Sequence, residues 1–323
     1  MDTDDKQLQQ WLEFDCGCLR SEAIDNPDVS VKAVLAEPQW GLIPPVSASM
    51  HSPEYVCYDS GSVRYVDYFG KALAIHHRTS EHVEIVGTNR DFVYEKLYLI
   101  VLSRVGELLD RRGIHRVHAL GLSTPEGAAL VLLPMHGGKS TLGLALMSEP
   151  GFKLLSDDTP LISRAGTVLP FPVRLGVRTG DEPDSVPKQF LRSFSRENRE
   201  PKTLISLDAF GDKVHVNSAV PPRILIVGQW TAAENPSVSA IGVFSAFRAL
   251  LRDCVFGLGL PQIVEFFLQS TTRDTLSKMM LAWSRIYASL VISVRSKCYR
   301  VYLSRDLERN RELILKLLLE GRA

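Results

Sequence analysis

One short stretch near the middle of the chain has the residue types and spacing for phosphoryl chemistry. Residues 133–147 read LPMHGGKSTLGLALM, so Gly137, Gly138, Lys139, Ser140 and Thr141 open a helical pattern directly after an apolar run. A phosphate loop, GxxxxGK[ST], needs glycines so that backbone N–H groups can close around phosphate. It also needs a lysine for the β and γ phosphates and a hydroxyl for magnesium. Gly138, Lys139 and Ser140 stand in that register, while Leu133 occupies the place of the opening glycine unless the loop is shorter than usual. His136, inside the loop, could touch phosphate or simply replace a loop glycine. Beyond the helix, the apolar run FKLLSDD ends in Asp157 and Asp158. A carboxylate there can hold magnesium, and a second can take the proton of an attacking hydroxyl.

These residues require particular elements to hold them. VHALGLS, the turn TPEG and AALVLLPM spell strand, turn and strand, the last almost wholly apolar and therefore expected to be covered on both faces. A helix from Lys139 to Met147 and the strand FKLLSDD follow. Strand, glycine loop, helix, strand is the α/β arrangement that seats a phosphate at a helix N-terminus. Farther on, TPLISR, TVLPFPVRLGV, KVHVNS, RILIVGQW and KCYRVYLS read as strands. VFSAFRALLRDCV, LPQIVEFFLQ, TRDTLSKMMLAWSRIYASL and DLERNRELILKLLLEG read as helices. In the third of these, Met279, Met280, Leu281 and Trp283 are expected on the packed side. The polar run RTGDEPDSVPKQFLRSFSRENREPK is expected to be a mobile loop, with Lys202 at its end.

The first hundred residues differ. Alternating runs such as SVRYVDYF, ALAIHH and HVEIVG, separated by Pro/Ser-rich joints, predict a small β-rich lobe. It ends in a helix on which Phe92, Leu97, Ile100, Val101, Val105 and Leu108 recur at helical spacing before Gly113, expected to bridge two lobes. The expected division is residues 1–113, a β-rich N-terminal lobe, and 114–323, an α/β phosphate-loop domain.

LPMHGGKSTL, LLSDD and LPFPVRLGVR, in that order and spacing, resemble the HPr kinase/phosphorylase superfamily, particularly its stand-alone HPr-kinase-related members, some of which are lasso-peptide precursor kinases. The resemblance covers roughly residues 115 to 320 and implies a P-loop HPr-kinase-like C-terminal domain, with ATP and Mg2+ as cofactors. It implies that Gly137, Gly138, Lys139, Ser140 and Thr141 contact nucleotide phosphate and magnesium. It gives Asp157 and Asp158 metal binding and base catalysis, without saying which does which. His118 matches a histidine that lies on the strand before the loop, close to the catalytic carboxylate. Arg174, Arg178 and Arg223 match places where substrate or phosphate contact is expected. Three functions follow as alternatives: a kinase of a Ser or Thr hydroxyl on a peptide or small protein, a kinase of a free amino acid or sugar, and a catalytically silent nucleotide- or peptide-binding adaptor.

Composition excludes other classes. Lys plus Arg and Asp plus Glu both number 37, with no basic tract, so nucleic acid is not an expected partner. Near-zero charge permits a homo-oligomer without requiring one. The acidic N-terminus lacks a signal pattern and no apolar run has the length of a membrane span, so a cytoplasmic protein with no membrane partner is expected. Five cysteines form no CxxC pair, so Cys16 and Cys18 read as ordinary thiols. His76, His77 and His82 lie on alternating strands without ligands to complete a metal site.

Overall fold

The structure, a computed structural model, describes residues 1–21, 24–134, 137–194, 201–256 and 272–320. The protein is mixed α/β, with several sheets and helices arranged in two compact units. One unit takes Met1–Glu13, Ser21–Arg112 and Gly259–Lys278; the other takes Phe14–Arg20, Gly113–Leu258 and Met279–Ala323.

The first unit is built on seven strands: β1 (Asp2–Thr3), β2 (Ser30–Leu35), β3 (Ala48–His51), β4 (Val56–Ser60), β5 (Val63–Asp67), β6 (Ala72–His77) and β7 (His82–Gly87). Their order is β1-β2-β7-β6-β5-β4-β3; the pairs β1–β2 and β2–β7 are parallel and the others antiparallel. Period-two alternation makes Val31 and Ala33, then Val83 and Ile85, face inward. Helix α1 (Lys6–Cys16) lies between β1 and β2 in the chain, and α2 (Arg90–Arg111) packs on β2 and β7 through Val93, Leu97 and Ile100. The expected bridging helix therefore belongs to the first unit. Asn89 caps it by accepting from the Phe92 N–H at 3.0 Å. His76 is buried and paired with Glu81 at 3.2 Å, whereas His77 stacks on His82. No group of three or more His, Cys, Asp or Glu able to hold a metal occurs among the described residues.

The second unit centres on a six-stranded sheet. Its strands are β8 (Ile114–Arg116), β9 (Leu120–Thr124), β10 (Gly127–Leu132), β11 (Lys153–Ser156), β12 (Leu161–Ser163), β13 (Val168–Leu169), β14 (Leu175–Arg178), β15 (Leu191–Phe194), β16 (Lys202–Ile205), β17 (Pro222–Trp230), β18 (Ser237–Ala240) and β19 (Lys297–Leu303). The central order is β11-β9-β10-β17-β19-β18, and two three-stranded sheets, β13-β12-β8 and β14-β16-β15, flank it. β10, β17 and β19 run parallel, while β9 runs against both β10 and β11.

Helices cover both faces. Ala129 and Val131 of β10 join a core with Leu142 and Leu146 of α3 (Lys139–Ser148) and Ile314 and Leu317 of α6 (Leu307–Glu320). Ala128, Leu130 and Leu132 join a second core with Ala246 and Leu250 of α4 (Val243–Leu251) and Ala288 and Ile292 of α5 (Thr272–Arg295). This two-faced burial is why β10 reads as a nearly unbroken apolar run. Each fully buried Leu contributes about 1.5–3 kcal/mol.

Several expectations change. KVHVNS contributes only an isolated bridge, Val214 to Leu154, because its preceding residues, Leu207–Lys213, form 3-10 turns. The polar run expected to be mobile contains β15, which pairs with β16 over Leu191–Phe194. On α5 the sheet-facing side is Ala288, Ser289, Ile292 and Ser293, whose small members allow close approach. Met279, Met280 and Trp283 face outward, since helical spacing alone does not say which of two apolar faces is covered. LPQIVEFFLQ lies outside the described residues. No described helix is long and apolar enough to cross a membrane.

Candidate functional site

Because β9 is antiparallel to its two neighbours, the end of β10, the start of β9 and the end of β11 meet at one edge of the sheet. Val131 pairs with Leu120, and Ser156 pairs with Gly121. The phosphate-loop candidate leaves the first, His118 precedes the second, and Asp157 and Asp158 leave the third. Ligand sites in open α/β sheets form at such carboxyl ends.

Leu133 is buried in the core beside β10, so it extends the strand pattern rather than opening the loop. The connection to the helix is therefore short, and Met135 and His136 fall outside the described residues. Gly137 donates its N–H to the Pro134 carbonyl at 2.9 Å, and a Cβ on it would stand 2.8 Å from that same oxygen. Gly138 has φ 76°, a left-handed conformation that suits glycine, and begins α3 as its N-cap without a side-chain cap bond. The first-turn N–H groups of Lys139, Ser140 and Thr141 thus carry the helix's positive end without an acidic residue among them.

Lys139 and His118 share one carboxylate. The Lys139 ammonium reaches His118 Nε2 at 2.5 Å and Asp158 Oδ1 at 3.2 Å, and His118 Nδ1 meets the same Oδ1 at 3.0 Å. His118 sits in the bend before β9 rather than on a strand. Its place is fixed by backbone bonds: Val117 N–H to the Pro160 carbonyl at 3.0 Å and His118 N–H to the Asp253 carbonyl at 3.1 Å.

Ser140 and Asp157 form the second pair. The Ser140 hydroxyl donates to Asp157 Oδ2 at 2.8 Å, while Asp157 Oδ1 is buried with no hydrogen-bond partner. Burial first, then repulsion by Asp158, pushes the Asp157 carboxyl up to about 7 from an ordinary 3.8. Asp158 keeps 48 % of its side-chain surface exposed. Its desolvation would raise the pKa, but hydrogen bonds and positive charge from His118 and Lys139 outweigh it and hold the group at about 2. Two neighbouring carboxylates are thus driven apart in acidity, a division that accompanies a division of roles.

The aspartate turn has its own supports. β11 carries a register shift between Leu154 and Ser156, just before the pair, and bulges of this kind re-aim side chains. The Thr159 N–H is held by Ser156 Oγ at 3.1 Å. Gly121 lets Pro160 close over β9, since a Cβ there would lie 2.6 Å from Pro160 Cβ. Gly121→Ala is accordingly expected to cost about 1–3 kcal/mol of stability, read by urea unfolding, through overpacking beneath the aspartate turn. An unchanged midpoint would show that the turn yields freely.

The three arginines do not converge here. The Arg174 guanidinium meets Asp15 at 2.7 Å, and Arg192 shares that buried carboxylate, so Arg174 is a structural ion pair. Arg223 begins β17, at the sheet end away from the loop, and pairs with Glu126 at 2.9 Å. Arg178 is exposed at the end of β14, directly opposite Lys202 in β16. The positive charge of Lys202, the residue that ends the polar run, acts on Asp157 and lowers its pKa.

Elsewhere, Cys16 and Cys18 are free thiols. Burial pushes Cys16 up to about 12, and burial with Asp208 pushes Cys18 up to about 11, which keeps both protonated. A cleft of the first unit lined by Trp11, Leu35 and Thr88 to Asp91 contains none of the residues above. No family model matches the chain, and no curated protein matches it.

Proposed function

We propose that the protein is an ATP-dependent kinase with a P-loop, HPr-kinase-like second unit, transferring a γ-phosphoryl group to a Ser or Thr hydroxyl of a peptide or small protein. One observation carries this: Lys139, His118 and Asp158 form one contact group, and Ser140 with Asp157 a second, at the sheet edge where α3 begins. In this reading the N–H groups at the start of α3 and the Lys139 ammonium hold the phosphates.

The donor set fits magnesium. Mg2+ takes oxygen ligands from one or two carboxylates and from substrate phosphates. Asp157 presents a buried oxygen lacking any partner, and Ser140 adjoins it with a hydroxyl. Bound there, the ion would neutralise phosphate charge and favour the ionised form of Asp157. Asp158, more exposed and already ionised, orients the acceptor hydroxyl and receives its proton as the new oxygen–phosphorus bond forms and the bond from the γ-phosphorus to the β,γ-bridging oxygen breaks, releasing ADP. His118 and Lys139 fix that carboxylate's position. A catalytically silent adaptor has no physical need for a buried carboxylate whose charge costs stability.

Calorimetric titration of ATP into the full chain, with and without magnesium, tests this function. Magnesium-dependent binding that falls at least about tenfold in Ser140→Ala is expected. Equal affinity with and without the ion would sink the magnesium assignment, and no binding by folded protein would sink the kinase.

A further inference from the structure

We infer that α5 is the seam of a homodimer, in which its outward face pairs with the same face of a second copy of this chain. Met280, Trp283, Tyr287, Leu290 and Val294 follow one another at spacings of 3, 4, 3 and 4, and all stand outward, between 41 and 66 % exposed. That alternation is the spacing of a helix–helix seam, in which side chains of one helix enter holes of another. The opposite side of the same helix is already occupied by the sheet, through Ala288 and Ile292. Among the described residues the stripe is therefore a second apolar face, left uncovered by the sheet and the helices.

The chemistry of the flanks selects the occupant. Between Met279 and Val294 the only charged residue is Arg285, and its guanidinium is turned inward, donating to the Cys254 carbonyl at 2.9 Å. A helix that lies on a membrane needs lysines and arginines along its polar face beside the apolar stripe; here Lys278 and Arg295 only bound the stripe, and Arg295 is bonded to the Ala165 and Gly166 carbonyls. A second copy meets no electrostatic opposition, since the formal net charge of the chain is zero. Area agrees: the stripe offers on the order of 600 Å2 per copy, approaching the ~800 Å2 per partner of a standard specific interface and at the upper end of what monomers expose as one patch.

Sedimentation equilibrium of the full chain, from nanomolar to high micromolar concentration, tests the pairing. A dimer at micromolar concentration is expected, and Trp283→Glu with Tyr287→Glu is expected to weaken association by about 100-fold or more. The melting temperature of the resulting monomer should stay within a few degrees of wild type, because the removed side chains are outward. As a second probe, Tyr287→Cys, in the middle of the seam, is expected to give a disulfide-linked dimer under mild oxidation. A wild type that remains monomeric throughout overturns the inference. So does a dimer indifferent to the double substitution, or a double variant that fails to fold, which would mean the stripe is covered within one chain. Absence of the Tyr287→Cys cross-link in a dimeric protein overturns it as well.

Discussion

Replacing Lys139 by alanine is expected to lower phosphoryl transfer by about a thousandfold or more, equivalent to about 4 kcal/mol of transition-state stabilisation. The Lys139 side chain is 12 % exposed and stands at the start of α3, its ammonium in contact with both His118 and Asp158. At that place it serves two electrostatic tasks at once. It neutralises phosphate oxygens whose charge is spread in a loose transition state, and it keeps Asp158 ionised by adding positive charge beside it. Without Lys139 the Asp158 pKa moves back upward, so the variant's residual activity should show an acid limb displaced to higher pH. Stability should change little, since an ion pair to a half-exposed carboxylate contributes at most about 1 kcal/mol. Single-turnover rates and thermal melts of both proteins separate the two effects. Undiminished transfer by Lys139→Ala would remove the phosphate loop from the mechanism.

Asp157→Asn is expected to have opposite effects on stability and on function. A carboxyl whose native pKa, about 7, exceeds its ordinary 3.8 keeps its proton in the folded chain while the unfolded chain loses it. Its contribution to stability is therefore full below about pH 4, declines between about 4 and 7, and stays low above that. The decline amounts to a few kcal/mol, on the order of 1.4 per pKa unit. Asparagine does not titrate, so the variant should melt several degrees higher than wild type at pH 8, with the order reversing slightly near pH 4. An unpaired amide N–H at the buried position returns about 1 kcal/mol of this gain. Magnesium-dependent nucleotide binding should fall by about 100-fold, because the oxygen left without a partner is the one offered to the ion. A variant that melts lower than wild type at pH 8 would show that Asp157 is already ionised and stabilised in the apoprotein. Asp158 behaves inversely: its depressed pKa of about 2 gives stability that is present above about pH 4 and lost as pH falls toward 2.

The sequence made the local parts of this site legible. β10, α3 and β11 follow one another in short order, and the apolar run, glycine pair and terminal aspartates each announce themselves. What it hid depends on pairing across distance. The commitment of Arg174 to Asp15 joins residues far apart in the chain, and no periodicity reveals that a buried aspartate already claims the guanidinium. Arg223 was misleading because strand direction, which puts it at the far end of β17, has no signature in a run such as PPRILIVG. The pairing of Lys202 opposite Arg178 is hidden for the same reason, since it rests on the register of β14 with β16 across a long polar run. In the first unit, β2 was missed because its parallel partner β7 lies far along the chain. The outward stripe of α5 was read as core because a helix with two apolar faces looks, in one dimension, like a helix with one wide face.

The reversed direction of β9 also governs the order of events during synthesis. All five polar groups of the candidate site come from His118 to Asp158, a span of 41 residues. The strands that complete the other side of β10 begin only at Pro222 and Lys297. As the chain emerges, the chemistry is complete in length while β10 still has one open edge and an apolar face on either side. Closing those distant parallel pairs is the slow, entropy-limited step. Until it happens β10 is the segment most exposed to wrong strand partners. Yield of folded protein should therefore be limited by β17 and β19 finding their places, long after the residues of the site have met.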